Sequence, residues 1–457
     1  MHDRLAIVGA GFSGAVVAAN LLRRPPADTS EILLIERSPE LCRGVAYARH
    51  AFPYLLNVPA GRLSVDSSQP LQFLDFARRT LPHATAEDFL PRRLYGDYLQ
   101  YFLGEAQRGA GAGIRLTRIL GEATVVSRCP DGTFLVSFAD REPVAVRRVI
   151  LALGNPPPGT PAWAEPIRHH RAYRPDPFDL PDDLSSDSVV LIVGNGLTMV
   201  DVAYCLTHDA SRAPRLVTIS RRGLIPLPQS EFHSAAVQSG DRIEQARTVR
   251  ELVSATRTLA REVVLQGGDW REVVTFIRHH APVIWRRLPD EERRRFVRHV
   301  QGYWDVHRHR LPARLAAHVE ALSRSGRLDI RAGRIERAVP DGRRLRVTWR
   351  SRGIGREESL VVDAVINATG PDFMLERSGN PLLKSLRSAG MICEDALGLG
   401  LVTTAQHACV AADGMVSEGL FYLGPMLRAS HWESTAASEL RNHAEQLARH
   451  LGELGAR

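Results

Sequence analysis

Short apolar runs bounded by glycines and charges organise the chain. Leu5-Ala6-Ile7-Val8 is continuous enough for a buried strand, and Val16, Val17, Leu21 and Leu22 then recur at the spacing of one helix face. Glu31-Ile32-Leu33-Leu34-Ile35-Glu36 predicts a second strand. The same order returns later, with strands at Val189-Val190-Leu191-Ile192-Val193 and Leu216-Val217-Thr218-Ile219-Ser220. Each half also closes alike. Gly121 to Val126 leads to the turn Pro130-Asp131-Gly132 and then to Val149-Ile150-Leu151-Ala152-Leu153-Gly154, while Gly333 to Glu336 leads to Pro340-Asp341-Gly342 and then to Val365-Ile366-Asn367-Ala368-Thr369-Gly370. In Pro-Asp-Gly the proline fixes φ and the glycine accepts φ > 0. Strands alternating with helices predict an α/β fold with two parallel sheets, each carrying a β-meander. From Ile225 to Arg324 the pattern turns helical, with a start at Pro289-Asp290-Glu291-Glu292. A last helix is expected from about Ser434, with Ala437, Leu440, Ala444, Leu447 and Leu451 on one face.

Between the first strand and helix lies Gly9-Ala10-Gly11-Phe12-Ser13-Gly14, a G-x-G-x-x-G in the context that gives the motif meaning. Gly9 permits the tight turn, Gly11 lets a pyrophosphate reach the backbone, and Gly14 lets helix and strand pack closely. The helix N-terminus then offers unpaired N–H groups to the phosphates, and Phe12 and Ser13 belong to the same cradle. Glu36, 27 residues after Gly9, can accept ribose hydroxyls, with Arg37 and Val125 as further expected contacts. The second turn reads Gly194-Asn195-Gly196-Leu197-Thr198-Met199, with methionine at the third glycine position. Arg221, followed by Arg222, lies 27 residues after Gly194. A guanidinium there pairs with a 2′-phosphate where a carboxylate would repel it; the alternative is an exposed arginine pair. Two Rossmann-type units result, one suited to a free ribose and the other to NADPH.

Composition narrows the class. Lys+Arg 59 against Asp+Glu 51 gives a net charge of +8, and of the basic residues only Lys384 is a lysine. That arginine excess reads as coding bias, so no nucleic acid partner is expected. No apolar run reaches the ~18 residues of a membrane span, and the strand at Leu5 leaves no room for a signal peptide, which predicts a soluble cytoplasmic protein. The five cysteines form no C-x-x-C or C-x4-C pair, which removes zinc ribbons and the redox dithiol of disulfide reductases.

With these elements in place the chain resembles flavoproteins with two dinucleotide-binding domains, FAD on the first and NAD(P)H on the second. The endings at Gly154 and Gly370 resemble that group's crossover strands. A closer resemblance, to the YdhS-like bacterial FAD/NAD(P)-binding proteins, rests on Arg43-Gly44-Val45-Ala46-Tyr47, Leu56-Asn57-Val58-Pro59-Ala60, Trp304 to Arg310, Leu423-Gly424-Pro425 and Trp432-Glu433-Ser434-Thr435-Ala436. It implies an FAD-binding domain over 1–160 and 366–457, an NADPH-binding domain over 161–224 and 325–365, and a helical insertion over 225–324. It also implies flavin contacts at Gly424 and Trp432, although Pro425 stands where such proteins carry aspartate.

In domain order the sequence resembles group B flavin monooxygenases, including amine N-hydroxylases. Their linker fingerprint has a degenerate echo in Trp163-x-Glu165-x-x-x-His169-x-x-x-Tyr173, which makes His169 a candidate catalytic residue. Asn57 is the second candidate, as a polar group beside the flavin or as a turn cap. The expected reaction uses NADPH to reduce flavin and O₂ as co-substrate, acting on a small polar substrate bearing an amine or carboxylate. The alternatives are a reductase with a non-oxygen acceptor and a redox-sensing flavoprotein. In the insertion, Asp305, His307, Arg308 and Arg310 either bridge helices or bind an anionic group. No metal site is expected, because His307 and His309 point apart on a helix and His279 and His280 bring no supporting acid spacing.

Overall fold

The computed structural model describes residues 3–50, 52, 54–230, 237 and 240–455. Contacts divide the chain into two units, one of residues 1–156, 281–287 and 373–457 and the other of 157–280 and 288–372. The short piece Ala281–Arg287, the end of the helix Trp270–Arg287, groups with the first unit.

The first unit is built on a six-stranded sheet. Its central strand Arg4–Val8 pairs in parallel with Glu31–Glu36 on one side and Arg148–Leu151 on the other. Arg115–Leu120 extends the sheet beyond Glu31–Glu36, and Val416–Tyr422 extends it beyond Arg148–Leu151. An antiparallel strand, Ala408–Val410, closes that edge. Strands covered on both faces need continuous apolar runs, which Leu5 to Val8 and Ile32 to Ile35 supply. The helix Phe12–Arg23 buries Val16, Val17, Leu21 and Leu22 against this sheet. The carboxy-terminal helix starts at Ala437, a little later than its sequence pattern predicts, and buries Leu440, Ala444, Leu447 and Leu451.

In the second unit the parallel order runs from Leu328–Asp341 through Arg215–Ser220, Val189–Val193 and Ala364–Asn367 to Tyr173–Arg174. The two meanders differ. In the first unit Ala123–Arg128, Phe134–Phe138 and Val144–Val146 form a separate antiparallel sheet. In the second, the 14-residue strand Leu328–Asp341 runs uninterrupted from the parallel sheet into the meander. In the first unit the corresponding strand ends at Leu120, where the Gly121 N–H makes the last rung to the Glu36 carbonyl at 2.9 Å, and the meander starts afresh at Ala123. The insertion is helical, including Val249–Leu265 and Trp270–Arg287.

Candidate functional site

At the first glycine turn, Gly9 adopts φ +99° and donates its N–H to the Ile35 carbonyl at 2.9 Å. A Cβ on Gly9 would lie 2.3 Å from the Ala152 oxygen, and one on Gly14 would lie 1.9 Å from the Gly9 oxygen. Neither position tolerates a side chain, so the chain passes between two strand ends with the helix seated directly on the turn. Phe12–Arg23 begins at Gly11, which has no side chain to cap it, and its first amides remain available to an anion. Glu36 is held in place by the N–H groups of Ala10 at 2.8 Å and Ser38 at 3.1 Å. A carboxylate has lone pairs beyond those two bonds for ribose hydroxyls. Arg37 is exposed and lies 3.6 Å from Glu122. Val125 is partly exposed on the meander.

The loop after Glu36 supplies a part of the site that periodicity gave no reason to expect. Cys42 N–H donates to the Ala10 carbonyl at 2.7 Å, and a Cβ on Gly44 would lie 3.4 Å from the Gly11 Cα. Arg43 is only 2% exposed. Its guanidinium pairs with Asp97 and donates to the Arg93 carbonyl at 3.1 Å. Gly96 leaves it the room, since a Cβ there would meet Arg43 Nη1 at 2.6 Å. The rings of Phe12, Tyr47 and Tyr95 cluster with centroids 4.8–6.3 Å apart. A buried, paired cation thus ties the Arg43-Gly44 loop to the helix Arg92–Arg108, while the Cys42 N–H holds it against the first glycine turn.

On the other side of the central strand, Leu423 N–H donates to the Leu151 carbonyl at 2.9 Å, which brings Gly424 beside the strand that leads to Gly154. Gly424 opens the short helical turn Pro425–Ala429, and Ser434 Oγ donates to the Pro425 carbonyl at 3.2 Å. Trp432 is buried, 4.7 Å from the Trp285 ring, and the Arg428 guanidinium lies 3.8 Å over it. Trp285 Nε1 donates to the Ala429 carbonyl at 2.9 Å. Asn57 is exposed on the loop before Ala60–Arg62.

The second unit repeats the construction. Gly194 has φ +106°, donates to the Ile219 carbonyl at 2.9 Å, and would place a Cβ 2.3 Å from the Ala368 oxygen. A Cβ on Gly196 would meet nothing within 4 Å, which leaves the backbone open to a phosphate. Leu197 and Thr198 form the first turn of the helix Leu197–Thr207, and Met199 packs into the core. Asn195 is 5% exposed, yet its Oδ1 and Nδ2 have no partner among the described residues. Leaving a buried amide unpaired costs on the order of 1–3 kcal/mol per group, so this side chain is suited to a ligand that offers both a donor and an acceptor.

Arg221 is exposed at the end of its strand, and Arg352 Nη1 donates to its carbonyl at 3.3 Å. The Arg352 guanidinium thus reaches the Arg221 backbone from a turn 131 residues away, a contact that no spacing pattern could reveal. Arg222 is placed differently from its expected role. It donates to the Arg298 and His299 carbonyls at 2.9 and 3.1 Å and lies over the Tyr303 ring, so it fastens the helical insertion to this sheet. Gly370 has φ +87° with open space around it, next to Asn367, whose side chain bonds Thr369 Oγ1 at 2.7 Å.

The linker fingerprint is a structural feature at its ends. Trp163 and Tyr173 meet edge to face at 6.3 Å, whereas His169 is exposed. The neighbouring His170 lies 3.2 Å from the Gly342 carbonyl and accepts the Ala172 N–H. In the insertion, His307 Nδ1 bonds the Tyr303 carbonyl at 2.7 Å, and His280 Nδ1 bonds the Phe276 carbonyl at 2.9 Å. All five cysteines are free thiols. Among the described residues no helix is long and apolar enough to cross a membrane.

These features agree with what the chain is similar to. Residues 6–156 match an FAD-NAD(P)-binding family. An uncharacterized protein of Mycobacterium tuberculosis is 25% identical over 407 residues, covering 80% of this chain and 73% of the relative. Among solved structures, the ornithine hydroxylase of Pseudomonas aeruginosa matches with a TM-score of 0.64 at 16% identity, covering 100% of both chains. The cadaverine monooxygenase of Erwinia amylovora, determined with FAD, matches with a TM-score of 0.64 at 14% identity, over 99% of this chain and 95% of that one.

Proposed function

We propose that the chain is an FAD-dependent, NADPH-consuming monooxygenase of the amine N-hydroxylating type. The observation that carries this reading is the pair of like-built glycine turns with opposite charge at the ribose end, Glu36 in the first unit and Arg221 with Arg352 in the second. The full-length likeness to two amine hydroxylases supports it, and the five cysteines include no C-x-x-C or C-x4-C pair of the kind disulfide reductases use. Kinship with the YdhS-like proteins is part of the same reading.

Bound FAD would supply hydride acceptance and oxygen activation, chemistry that no amino acid side chain performs. Gly9, Gly11, Phe12, Ser13 and Gly14 would hold its pyrophosphate, Glu36 its adenosine ribose, and Gly424 and Trp432 its flavin end. Gly194, Asn195, Gly196, Leu197 and Thr198 would hold the NADPH pyrophosphate, with Arg221 and Arg352 on the 2′-phosphate. The protein's own contribution is orientation and exclusion of water. Arg43 and Asp97 would fix the loop after Glu36, and Trp432, tilted against Trp285, would give the flavin end an aromatic wall. Asn57 remains our candidate for a polar group near the reacting end, and His169 for one in the linker.

The test is a panel of small amines that includes ornithine, lysine and cadaverine. O₂ uptake and NADPH oxidation should rise together with one of them and yield a hydroxylamine. NADPH oxidation under argon that depends on an added quinone or imine, with no amine-dependent O₂ uptake, would assign the chain to the reductases instead.

A further inference from the structure

The helix Val249–Leu265 in the insertion carries a face that neither glycine turn uses. Its start is firmly built. Thr248 accepts the Glu251 N–H in a capping box, and Val249 and Leu252 are buried. The opposite face at 100° per residue carries Arg250, Arg257 and Arg261, followed by Val264 and Leu265. Among the described residues the side chains of those three arginines have no hydrogen bond or ion pair. Val264 is 53% and Leu265 is 86% exposed.

Across from this face lie Arg295 and His299, and together they bound a groove of about 570 Å³ with Val253 in its wall. Its one lining carboxylate is already used. Glu292 Oε2 accepts the Val249 N–H at 2.7 Å, and Oε1 accepts Arg295 Nη1 at 2.6 Å. Arg295 is paired as well, with Glu292 at 2.6 Å and Glu291 at 2.7 Å, so the uncompensated charge of the groove is that of Arg250, Arg257 and Arg261. Unpaired cations at this density repel one another, and an anionic partner relieves that cost. From Arg250 to Leu265 the face is roughly 22 Å long, at ~1.5 Å per residue. A single phosphate would engage only part of it, and would leave Val264 and Leu265 in water. An acidic amphipathic helix satisfies both ends, with carboxylates along the arginines and apolar side chains over Val264 and Leu265.

We propose that this groove docks an acidic amphipathic helix of a protein partner. The proposal is independent of the reaction assigned above. The test uses fluorescence anisotropy of a labelled peptide of about 16 residues, ~24 Å as a helix, with glutamates spaced to face Arg250, Arg257 and Arg261 and leucines at one end. The full chain should bind it, with affinity falling as salt rises. R250E/R257E/R261E should weaken binding by at least about tenfold, and Leu265→Ser should weaken it without changing the salt dependence. A matching lysine peptide should bind the triple variant better than the wild type, which separates loss of charge pairing from loss of folding. Equal binding to wild type and triple variant would overturn the proposal. So would tripolyphosphate displacing the peptide while Leu265→Ser has no effect, since that is the behaviour of a small-anion site.

Discussion

Arg221 and Arg222 are neighbours in sequence with opposite duties. Arg221 is exposed and its carbonyl accepts from the Arg352 guanidinium, whereas Arg222 is tied to two carbonyls of the insertion. Arg221→Asp should therefore raise the Michaelis constant for NADPH far more than that for NADH, because removing a charge-assisted bond costs about 1.5–3 kcal/mol, or ~10-fold to more than 100-fold. Arg352→Gln should act in the same direction with a smaller effect. Arg222→Ala should lower the melting temperature while leaving the NADPH/NADH ratio unchanged. Steady-state kinetics with both nucleotides and a thermal melt separate the three, and a shifted ratio in Arg222→Ala would contradict the assignment. The glutamate and the first arginine were legible from a shared offset of 27 residues. Arg352 was not, because the contact joins a turn to a distant strand end, and Arg43 was visible only as part of a resemblance, because burial of a cation leaves no periodic trace.

At the scale of elements, the edge strand Ala408–Val410 and the carboxy-terminal helix meet at three histidines. The His407 ring stands edge to face with His443 at 4.9 Å, and His443 likewise with His431 at 4.6 Å. Burial, reinforced by His431 and His450, lowers His407 to about 4; burial, reinforced by His407 and His431, lowers His443 to about 3. His431 is lowered as well, by burial and then Arg286. Unfolded histidines titrate near 6.5, so on acidification the unfolded chain takes up protons first. The stability contributed by the neutral rings is thus complete above about 6.5 and is lost progressively down to about 4 for His407 and about 3 for His443. His407 alone accounts for roughly 3 kcal/mol over that range. Denaturant unfolding from neutral pH to pH 4 should show this slope, and His407→Phe should flatten it; an unchanged slope would contradict the account. The glycine turns make a sharper prediction. Gly14→Ala forces a Cβ to within 1.9 Å of the Gly9 oxygen, so the variant should purify without bound FAD, whereas Gly11→Ala, with its nearest neighbour at 3.6 Å, should retain part of it. Two parallel sheets, both glycine turns and both Pro-Asp-Gly turns were readable from apolar runs and glycine placement. That one meander stands apart and the other continues a long strand was not, because strand continuity past Ile335 is decided by pairing with Arg344–Ser351.

For the whole molecule, duplication is the strongest organising fact. Gly9 with Ala152 and Gly194 with Ala368 are the same steric solution reached in two units, each of which would put an added Cβ 2.3 Å from a carbonyl oxygen and so admits glycine alone. Under the proposed function such a repeat would provide two nucleotide sites in one chain, with the charge at their far ends deciding which nucleotide goes where. The helical insertion has no counterpart in the first unit, and its sequence showed helices and arginines without showing that Arg222 anchors it. The central claim, that electrons pass from a 2′-phosphorylated nicotinamide to a flavin within this chain, is tested most directly by anaerobic mixing of the purified or FAD-reconstituted protein with NADPH or NADH. The visible flavin absorbance should bleach rapidly with NADPH and slowly with NADH, and Arg221→Asp should narrow the difference. A protein that takes up no FAD, or a bound flavin that NADPH leaves oxidised, would contradict it.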